Sequence, residues 1–223
     1  KSTTLNAIAG VWPVDCGQIL IDGKDISALP EHKRAPYLGR VFQDPMTGTV
    51  ADMEIIENLA IAARRGKKRG LSWGVKADER IRYRQMLAEF DLGLEDRMSS
   101  KVGLLSGGQR QAITLLMATI KKPKLLLLDE HTAALDPKTA AKVLELSDKI
   151  IAENNLTALM VTHNMHDAIT HGNRLIMMSD GKIILDISGE EKKNLTVEHL
   201  LEMFEKASGS KLENDRMLLS KDK

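Results

Sequence analysis

The stretch from Leu105 to Asp136 constrains the fold of this chain more than any other. It opens with Ser106-Gly107-Gly108, and an apolar run with helical spacing follows from Gln109 to Ile120. Two glycines ahead of a helix leave backbone N–H groups uncovered at the positive end of the helix dipole, which favours binding of phosphate oxygens. Taken alone, the same residues also fit a simple turn in which Ser106 caps the helix.

Four consecutive leucines, residues 125–128, follow the helix breaker Pro123. Because a short apolar run without alternation is typical of a strand covered on both faces, we predict a buried parallel strand here. Asp129 and Glu130 end that strand, and ligands of parallel α/β sheets bind at the carboxyl ends of strands. Acidic residues after a strand are also common loop chemistry, so this pair alone favours a structural interpretation.

The first residues of the chain favour the functional interpretation of these motifs over the structural one. Lys1-Ser2-Thr3-Thr4 precedes an apolar helix predicted through Ala9, and it matches the last half of the phosphate-loop pattern G-x-x-x-x-G-K-[ST]. The glycine half of the pattern, which supplies most backbone donors to a bound phosphate, is absent from the sequence, so we expect an amino-terminal truncation and weak binding of nucleotide phosphates.

Together these segments resemble the nucleotide-binding subunit of an ATP-binding cassette (ABC) transporter, from Lys1 to about Gly189. The resemblance implies an α/β fold of the P-loop NTPase type, with a RecA-like core, an antiparallel β layer and an inserted helical subdomain. The string DEHTAALDP is similar to that of importer ATPases, some of which handle amino acids. The residues that carry the resemblance are Lys1-Ser2-Thr3, Gln43, Leu105 to Gln109, Leu125 to Glu130, Ala134-Leu135-Asp136 and His163.

The resemblance implies a role for each of these residues in hydrolysis of Mg-ATP. The implied magnesium ligands are Ser2, Gln43 and Asp129, and the implied catalytic residues are Glu130 as general base, His163 and Gln43. Asp129 and Glu130 are adjacent and point in different directions, which leaves Glu130 free to polarise water. The residues implied in binding nucleotide, within one copy or across a dimer, are Lys1, Ser2, Thr3, Ser106, Gly107, Gly108, Gln109 and Asp136.

The resemblance also implies partners: a second copy in a head-to-tail dimer, transmembrane permease subunits and an extracytoplasmic solute-binding protein. The expected location is the cytoplasmic face of the cell membrane. No apolar run in the chain approaches the roughly 18–20 residues that cross a bilayer, so other chains would form the channel. The net charge of +1 argues against a nucleic-acid partner, and the lone Cys16 excludes an internal disulfide.

Hydrophobic periodicity predicts the remaining elements. Strands are expected at residues 18–22 and 37–42, in a small antiparallel layer, at 156–162 as a buried strand, and at 174–179 and 182–187 as a hairpin. Helices are expected around residues 55–63, 81–90, 137–151 and 196–207. Asp136 is expected to cap the third of these helices, with Pro137 at its first position.

The domain organisation follows from this pattern. We predict one ATP-binding domain over residues 1–207, with a helical subdomain at about 52–120 and a frayed polar tail at 208–223. The basic run from Arg64 to Gly70 is first interpreted as a solvated loop. Contact with anionic lipid headgroups is the second interpretation and nucleic acid the third, because no aromatic residues interleave the charges.

Two residues depart from the family pattern: His131 stands where a proline is usual, and Ala133 stands where a serine is usual. Three other classes compete with the transporter hypothesis. A DNA-repair or cohesion ATPase would insert a long coiled coil, but the segment between Gln43 and Leu105 has no sustained heptads. A translation-associated ATPase would fuse two cassettes, and an inactive subunit would lack Glu130 or His163.

Overall fold

A computed structural model describes residues 1–67 and 74–208. These residues form two compact units: one comprises residues 2–161, and the other comprises Lys1 with the described residues from Thr162 onward. Predictions made for residues 68–70 of the basic run and for residues 209–223 of the tail fall outside the described residues. The single domain over residues 1–207 and its helical subdomain stay predictions.

The first unit combines helices with parallel strands, as is typical of an α/β protein. Its helices are α1 (Ser2–Ala9), α2 (Glu31–Arg34), α3 (Ile55–Ala63), α4 (Ala77–Ala88), a short 3₁₀ helix (Val102–Leu104), α5 (Gly107–Thr119) and α6 (Pro137–Glu153). Its strands are β1 (Leu20–Ile21), β2 (Lys24–Asp25), β3 (Leu38–Val41), β4 (Leu125–Asp129) and β5 (Thr157–Val161).

The leucine strand β4 lies at the centre of a parallel sheet ordered β3-β4-β5, which confirms the predicted buried strand. On one face, Leu126 and Leu128 belong to the main hydrophobic core, which also contains residues of α3, α5 and α6. On the other face, Leu127 packs with Leu5 and Ala9 of α1. Leu126, Leu127 and Leu128 are fully buried, because both faces of the strand are covered by helices.

The antiparallel layer differs from the prediction in one strand. The hairpin β1–β2 forms as expected, and both of its turn residues have positive φ, 50° at Asp22 and 74° at Gly23. The strand predicted at residues 37–42 does not join it, since β3 pairs in parallel with β4. Leu38 and Val41 point to opposite faces of β3 and both are buried, so this strand needs cover on both sides.

Two apolar segments are more exposed than predicted. The strand at residues 156–162 forms as β5, but Thr157 is exposed and the rest is half-buried, because among the described residues β5 pairs only with β4. Ile81, predicted to face inward from α4, is 63% exposed, whereas Leu87 and Phe90 are buried as expected. The hydrophobic spacing in α4 was loose, and its buried face excludes Ile81.

The second unit contains α7 (Met165–Thr170), a hairpin of β6 (Arg174–Ser179) and β7 (Lys182–Ser188), α8 (Gly189–Lys193) and α9 (Val197–Ser208). The predicted turn has positive φ at both residues, 48° at Asp180 and 76° at Gly181, which confirms the hairpin. Lys192 is buried, and its ammonium donates to the carbonyls of Ile169, His171 and Gly172 at the end of α7. Burial lowers the pKa of the Lys192 amine.

Candidate functional site

Asp129 lies at the carboxyl end of β4, beside the helix that begins the chain. Its Oδ2 is 3.5 Å from Nη2 of Arg40, and the same Nη2 donates to Oδ1 of Asn6 in α1 at 2.8 Å. The guanidinium also stacks on the ring of Phe42, with its carbon 4.6 Å from the ring centroid. One arginine therefore links the acidic strand end to α1, and it partly neutralises Asp129 in a site where both side chains are less than one-fifth exposed.

Glu130 has a left-handed backbone, with φ of 45°. For a residue with a side chain this conformation costs on the order of 1–2 kcal/mol, and surrounding contacts must hold it. The Glu130 N–H donates to the carbonyl of Val161 at 2.9 Å, and its own carbonyl accepts from the N–H of Ala133 at 3.0 Å. Glu130 thus turns sharply away from the sheet at the edge where the parallel strands end.

The start of α5 is closed by a capping box between two of the predicted site residues. The Gln109 N–H donates to Oγ of Ser106, and the Ser106 N–H donates to Oε1 of Gln109, both at 3.3 Å. The amide of Gln109 also donates to the carbonyl of Leu92 at 3.3 Å. Ser106 therefore is a helix cap within its own chain, and at the start of α5 Ser106 and Gly107 are exposed whereas Gly108 is buried.

Gly107 and Gly108 pack against the segment that starts α6. A Cβ at Gly107 would lie 3.4 Å from Cδ2 of Leu135, an ordinary contact, whereas a Cβ at Gly108 would overlap Cγ2 of Thr139. Gly108 is therefore required by close approach of α5 to α6, independently of any ligand. This is an explanation for the second glycine that the sequence alone did not provide.

Replacement of Gly108 with alanine is expected to destabilise the chain by about 1–3 kcal/mol, the usual cost of overpacking. Thermal unfolding followed by circular dichroism measures this effect. Gly107→Ala is the matched control and should change the melting temperature little. Adding Thr139→Ser, which removes the Cγ2 methyl, should restore most of the loss; no recovery in that double variant would contradict the proposed overlap.

Asp136 caps α6 as predicted, accepting from the N–H of Thr139 at 3.1 Å, and Pro137 occupies the first turn. Hydrogen bonds from Thr139 hold the pKa of the Asp136 carboxyl below its ordinary value of 3.8. The cap also fixes Thr139, whose methyl meets Gly108, so Asp136 supports the contact between α6 and the start of α5. A role for Asp136 across a dimer remains a separate proposal.

The lowered pKa predicts how the contribution of Asp136 depends on pH. A carboxyl with a depressed pKa in the folded state stabilises fully above its unfolded pKa, and the stabilisation is lost as pH falls through the folded value. Asp136→Asn keeps the capping oxygen without the charge. We expect wild type to melt above the variant at pH 7, with the gap closing below pH 3.8. A gap that is constant with pH would exclude the charge as its cause.

Gln43 is exposed in a bend directly after Phe42, past the end of β3. Gln111 of α5 is fully buried, and its Nε2 donates to the carbonyl of Phe42 at 3.1 Å. This bond holds the backbone next to Gln43. The helix that begins with the two glycines is therefore bonded to the backbone beside Gln43. Sequence reasoning missed Gln111, which looks like an ordinary polar position in an amphipathic helix.

Lys1 and His163 belong to the second unit. The Lys1 ammonium lies 3.5 Å from the carbonyl of Thr162, and Ser2 and Thr3 follow it as exposed residues in the first turn of α1. His163 is exposed and precedes Asn164, which caps α7 by accepting from the N–H of His166 at 2.9 Å. His163 thus follows the end of β5 by two residues, as its predicted strand-to-helix turn requires.

The first residues of the basic run are anchored, which corrects their interpretation as a solvated loop. Arg64 donates to the carbonyl of Ala60 and pairs with Glu79, both at 2.9 Å. Arg65 donates to the carbonyl of Ala118 at 3.1 Å, and burial lowers the pKa of its guanidinium. Both line a cavity of about 440 Å³ whose other lining residues include Arg40, Phe42, Lys67 and Met117.

This cavity has a strongly basic wall, and its described lining contains no acidic side chain. The Nε atoms of Arg40 and Arg65 are both buried and have no hydrogen-bond partner. The charged side chains of the wall favour an occupant that brings acidic or acceptor groups, because hydrogen bonds to charged donors are strong. An arginine inside the apolar strand at position 40 was the sequence signal that could have indicated this wall.

None of the helices in the described ranges combines the length and the apolar composition of a membrane span. In the same part of the chain, no three His, Cys, Asp or Glu side chains are grouped so that they could hold a metal ion. The donors predicted for magnesium are instead a carboxylate, a hydroxyl and an amide oxygen, from Asp129, Ser2 and Gln43. These are hard oxygen ligands of the kind that magnesium takes together with phosphate oxygens and water.

A parallel sheet with acidic residues at a strand end, beside a helix that opens with Lys-Ser-Thr, defines an α/β nucleotide-binding protein. The ABC transporter family profile matches residues 1–133. The tyrosine transport ATP-binding protein of Clostridioides difficile is 47% identical over 207 residues, which cover 93% of this chain and 82% of that protein. The chain belongs to the ABC transporter family, as an ATP-binding subunit.

Other relatives agree with this assignment. The spermidine/putrescine import ATP-binding protein PotA of Haemophilus influenzae is 35% identical over 86% of this chain, and the match spans 48% of PotA, about half its length. A solved ABC transporter cassette in its ADP conformation has a TM-score of 0.73 and 28% identity, over 92% of this chain and 82% of its own.

A dimeric cassette in a post-hydrolysis state, bound to ADP and Pi, has a TM-score of 0.69 and 29% identity, over 84% of this chain and 79% of its own. The predicted P-loop NTPase fold and the predicted family, with importer ATPases among its relatives, are therefore confirmed.

Proposed function

We propose that the chain binds and hydrolyses Mg-ATP at the interface of a head-to-tail dimer and drives solute import by separate membrane subunits. The observation that carries this proposal is the placement of Asp129 and Glu130 at the end of β4, joined to α1 through Arg40. Because α1 begins at Ser2 and contains Thr3, these two phosphate-binding residues lie on the helix that Arg40 joins to the acidic strand end.

In this proposal the residues have distinct tasks. Lys1 pairs with the β- and γ-phosphates. Ser2, Gln43 and Asp129 would hold magnesium, which would neutralise phosphate charge when bound. Glu130 accepts a proton from the attacking water, and its backbone is left-handed directly after the end of β4. His163 orients the same water beside the γ-phosphate.

The second copy contributes the start of its α5. The exposed Ser106 and Gly107 present a hydroxyl and a backbone N–H group to the nucleotide held by the first copy, and Gly108 and Gln109 complete the arm. Asp136 connects this arm to the opposite site through its cap on α6. The exposed position of Ser106 and Gly107 in the single chain supports a role at an interface.

An amino acid is the proposed transported solute. The support is the 47% identity with a tyrosine transport ATP-binding protein, compared with 35% for polyamine import proteins. A polyamine is the second candidate. Uptake of labelled tyrosine and labelled spermidine into cells that express the chain with candidate permease and solute-binding subunits distinguishes the two, and uptake of neither would exclude both solutes.

Phosphate release by the chain in membranes with those permease subunits tests the proposed ATPase directly. Wild type should release phosphate in a magnesium-dependent manner, and Asp129→Asn should lower the rate and raise the magnesium concentration that half-maximal release requires. Absence of nucleotide turnover in the assembled transporter would refute the function. The expected place of the chain in this assembly is the cytoplasmic face of the membrane.

The basic cavity is the proposed contact with the membrane subunit. Its occupant would be a segment with acidic and apolar side chains, since Arg40, Arg65 and Lys67 supply charge and Phe42 and Met117 supply apolar surface. We expect Arg65→Glu to reduce co-purification with the permease subunits, because it places like charges together. Arg84→Glu, outside this cavity, is the control; equal loss in both variants would argue against a local contact.

A further inference from the structure

We propose that the buried pair His131–Ser147 is a positioning device that holds Glu130 in its left-handed conformation. His131 is the residue that departs from the family pattern, in which proline is usual at this place. The proposal rests on the function of Glu130 as general base, and it concerns a residue that does not touch substrate. Both partners are only 2% exposed.

The direction of the hydrogen bond between the two side chains is assigned from the second partner of Ser147. Nε2 of His131 lies 3.0 Å from Oγ of Ser147, and that Oγ donates its single proton to the carbonyl of Val143 at 2.8 Å. Because a serine hydroxyl has one proton, Ser147 must accept from the ring. Nε2 of His131 therefore carries a proton and donates it to α6.

This bond anchors the residue immediately after the strained position. The backbone of Glu130 is held by Val161 through its N–H and by Ala133 through its carbonyl. Both of those bonds join Glu130 to loop or strand-end backbone. The His131 ring adds an anchor of another kind, because its donor reaches an acceptor in the middle of α6, a rigid helix of 17 residues.

A proline at position 131 would push the preceding residue towards extended backbone with negative φ. Histidine permits the left-handed backbone of Glu130, but it does not enforce that conformation, so other contacts must hold the turn. The Ser147 side chain provides one of these contacts in this protein. Without it, Glu130 can relax to negative φ, and its carboxylate moves away from the place where water is activated.

The test uses Ser147→Ala, which removes the acceptor and suits the interior of a helix. We expect roughly a 10–100-fold loss in kcat for phosphate release, the effect of a misplaced catalytic group, with KM for ATP nearly unchanged. His131→Leu should show the same loss, and His131→Gln, which keeps a donor at similar reach, should recover most of it. Thr119→Val removes another buried helix hydroxyl and should leave kcat unchanged.

Amide hydrogen exchange of the same variants supplies a readout that does not need turnover. Exchange at the Glu130 and Ala133 amides should rise in Ser147→Ala, while exchange at Leu126 to Leu128 stays at the wild-type rate. No rise at Glu130 and Ala133 overturns the proposal, and so does a rise without a change in kcat. If wild type itself releases no phosphate, the proposed function fails, and exchange alone decides whether the pair holds Glu130.

Discussion

Replacement of Glu130 with glutamine is expected to lower the rate of phosphate release by roughly 10²–10⁴-fold, the usual effect of losing a general base. The amide has nearly the shape of the carboxylate but does not accept a proton from water. Asp129 and the start of α1 are unchanged in the variant, so nucleotide binding should persist. Phosphate release and binding of a fluorescent ATP analogue, measured on the same membrane-assembled preparation, separate the two effects.

The control for this experiment is Glu145→Gln, which removes a carboxylate from the exposed face of α6. It should leave both hydrolysis and binding at wild-type values. Phosphate release by Glu130→Gln at the wild-type rate would remove Glu130 from the mechanism. Loss of binding together with hydrolysis would instead show that the carboxylate supports the nucleotide site itself.

Replacement of Arg34 with methionine is expected to destabilise the first unit by on the order of 3–5 kcal/mol. Arg34 is 2% exposed and its guanidinium donates to four backbone carbonyls, at 2.6–2.9 Å. Two of these, in Ala7 and Ile8, belong to the last turn of α1, where helix carbonyls otherwise lack partners. The others, in Ser27 and Leu29, belong to the loop after β2.

Methionine matches the length of the apolar stem but leaves those carbonyls without the donor. Urea unfolding followed by circular dichroism measures the change in the free energy of unfolding. Arg84→Met is the matched control, since Arg84 forms an exposed pair with Asp96 at 2.6 Å, and such pairs contribute at most about 1 kcal/mol. Equal effects in the two variants would contradict a special role for Arg34.

Loss of the Arg34 hydrogen bonds should also disturb the position of α1 at the proposed site. Arg34 holds the end of α1, and Asn6 in the same helix bonds Arg40 next to Asp129. Gly10 follows α1 with a φ of 84° and leaves room for the Arg34 guanidinium, because a Cβ at this position would lie 2.7 Å from Nε of Arg34. The glycine after α1 is thus explained by both its backbone conformation and the arginine beside it.

Much of the local structure was predictable because it depends on neighbours in sequence. The uninterrupted leucines of β4, the turns at Asp22-Gly23 and Asp180-Gly181, and the caps at Ser106 and Asp136 all follow from side-chain periodicity and from which residues tolerate positive φ or bond the first helical N–H groups. The family, and with it the P-loop NTPase fold, was predictable because its motifs are short, specific and ordered along the chain.

The tertiary structure alone decided which distant residues meet. Arg40 joins Asp129 to Asn6, Gln111 holds the backbone beside Gln43, and Gly108 meets Thr139. The parallel pairing of β3 and the exposure of Ile81 were also beyond the sequence. Local pattern fixes which face of an element is apolar, but pairing partners and buried hydrogen bonds depend on packing between segments that are far apart in the chain.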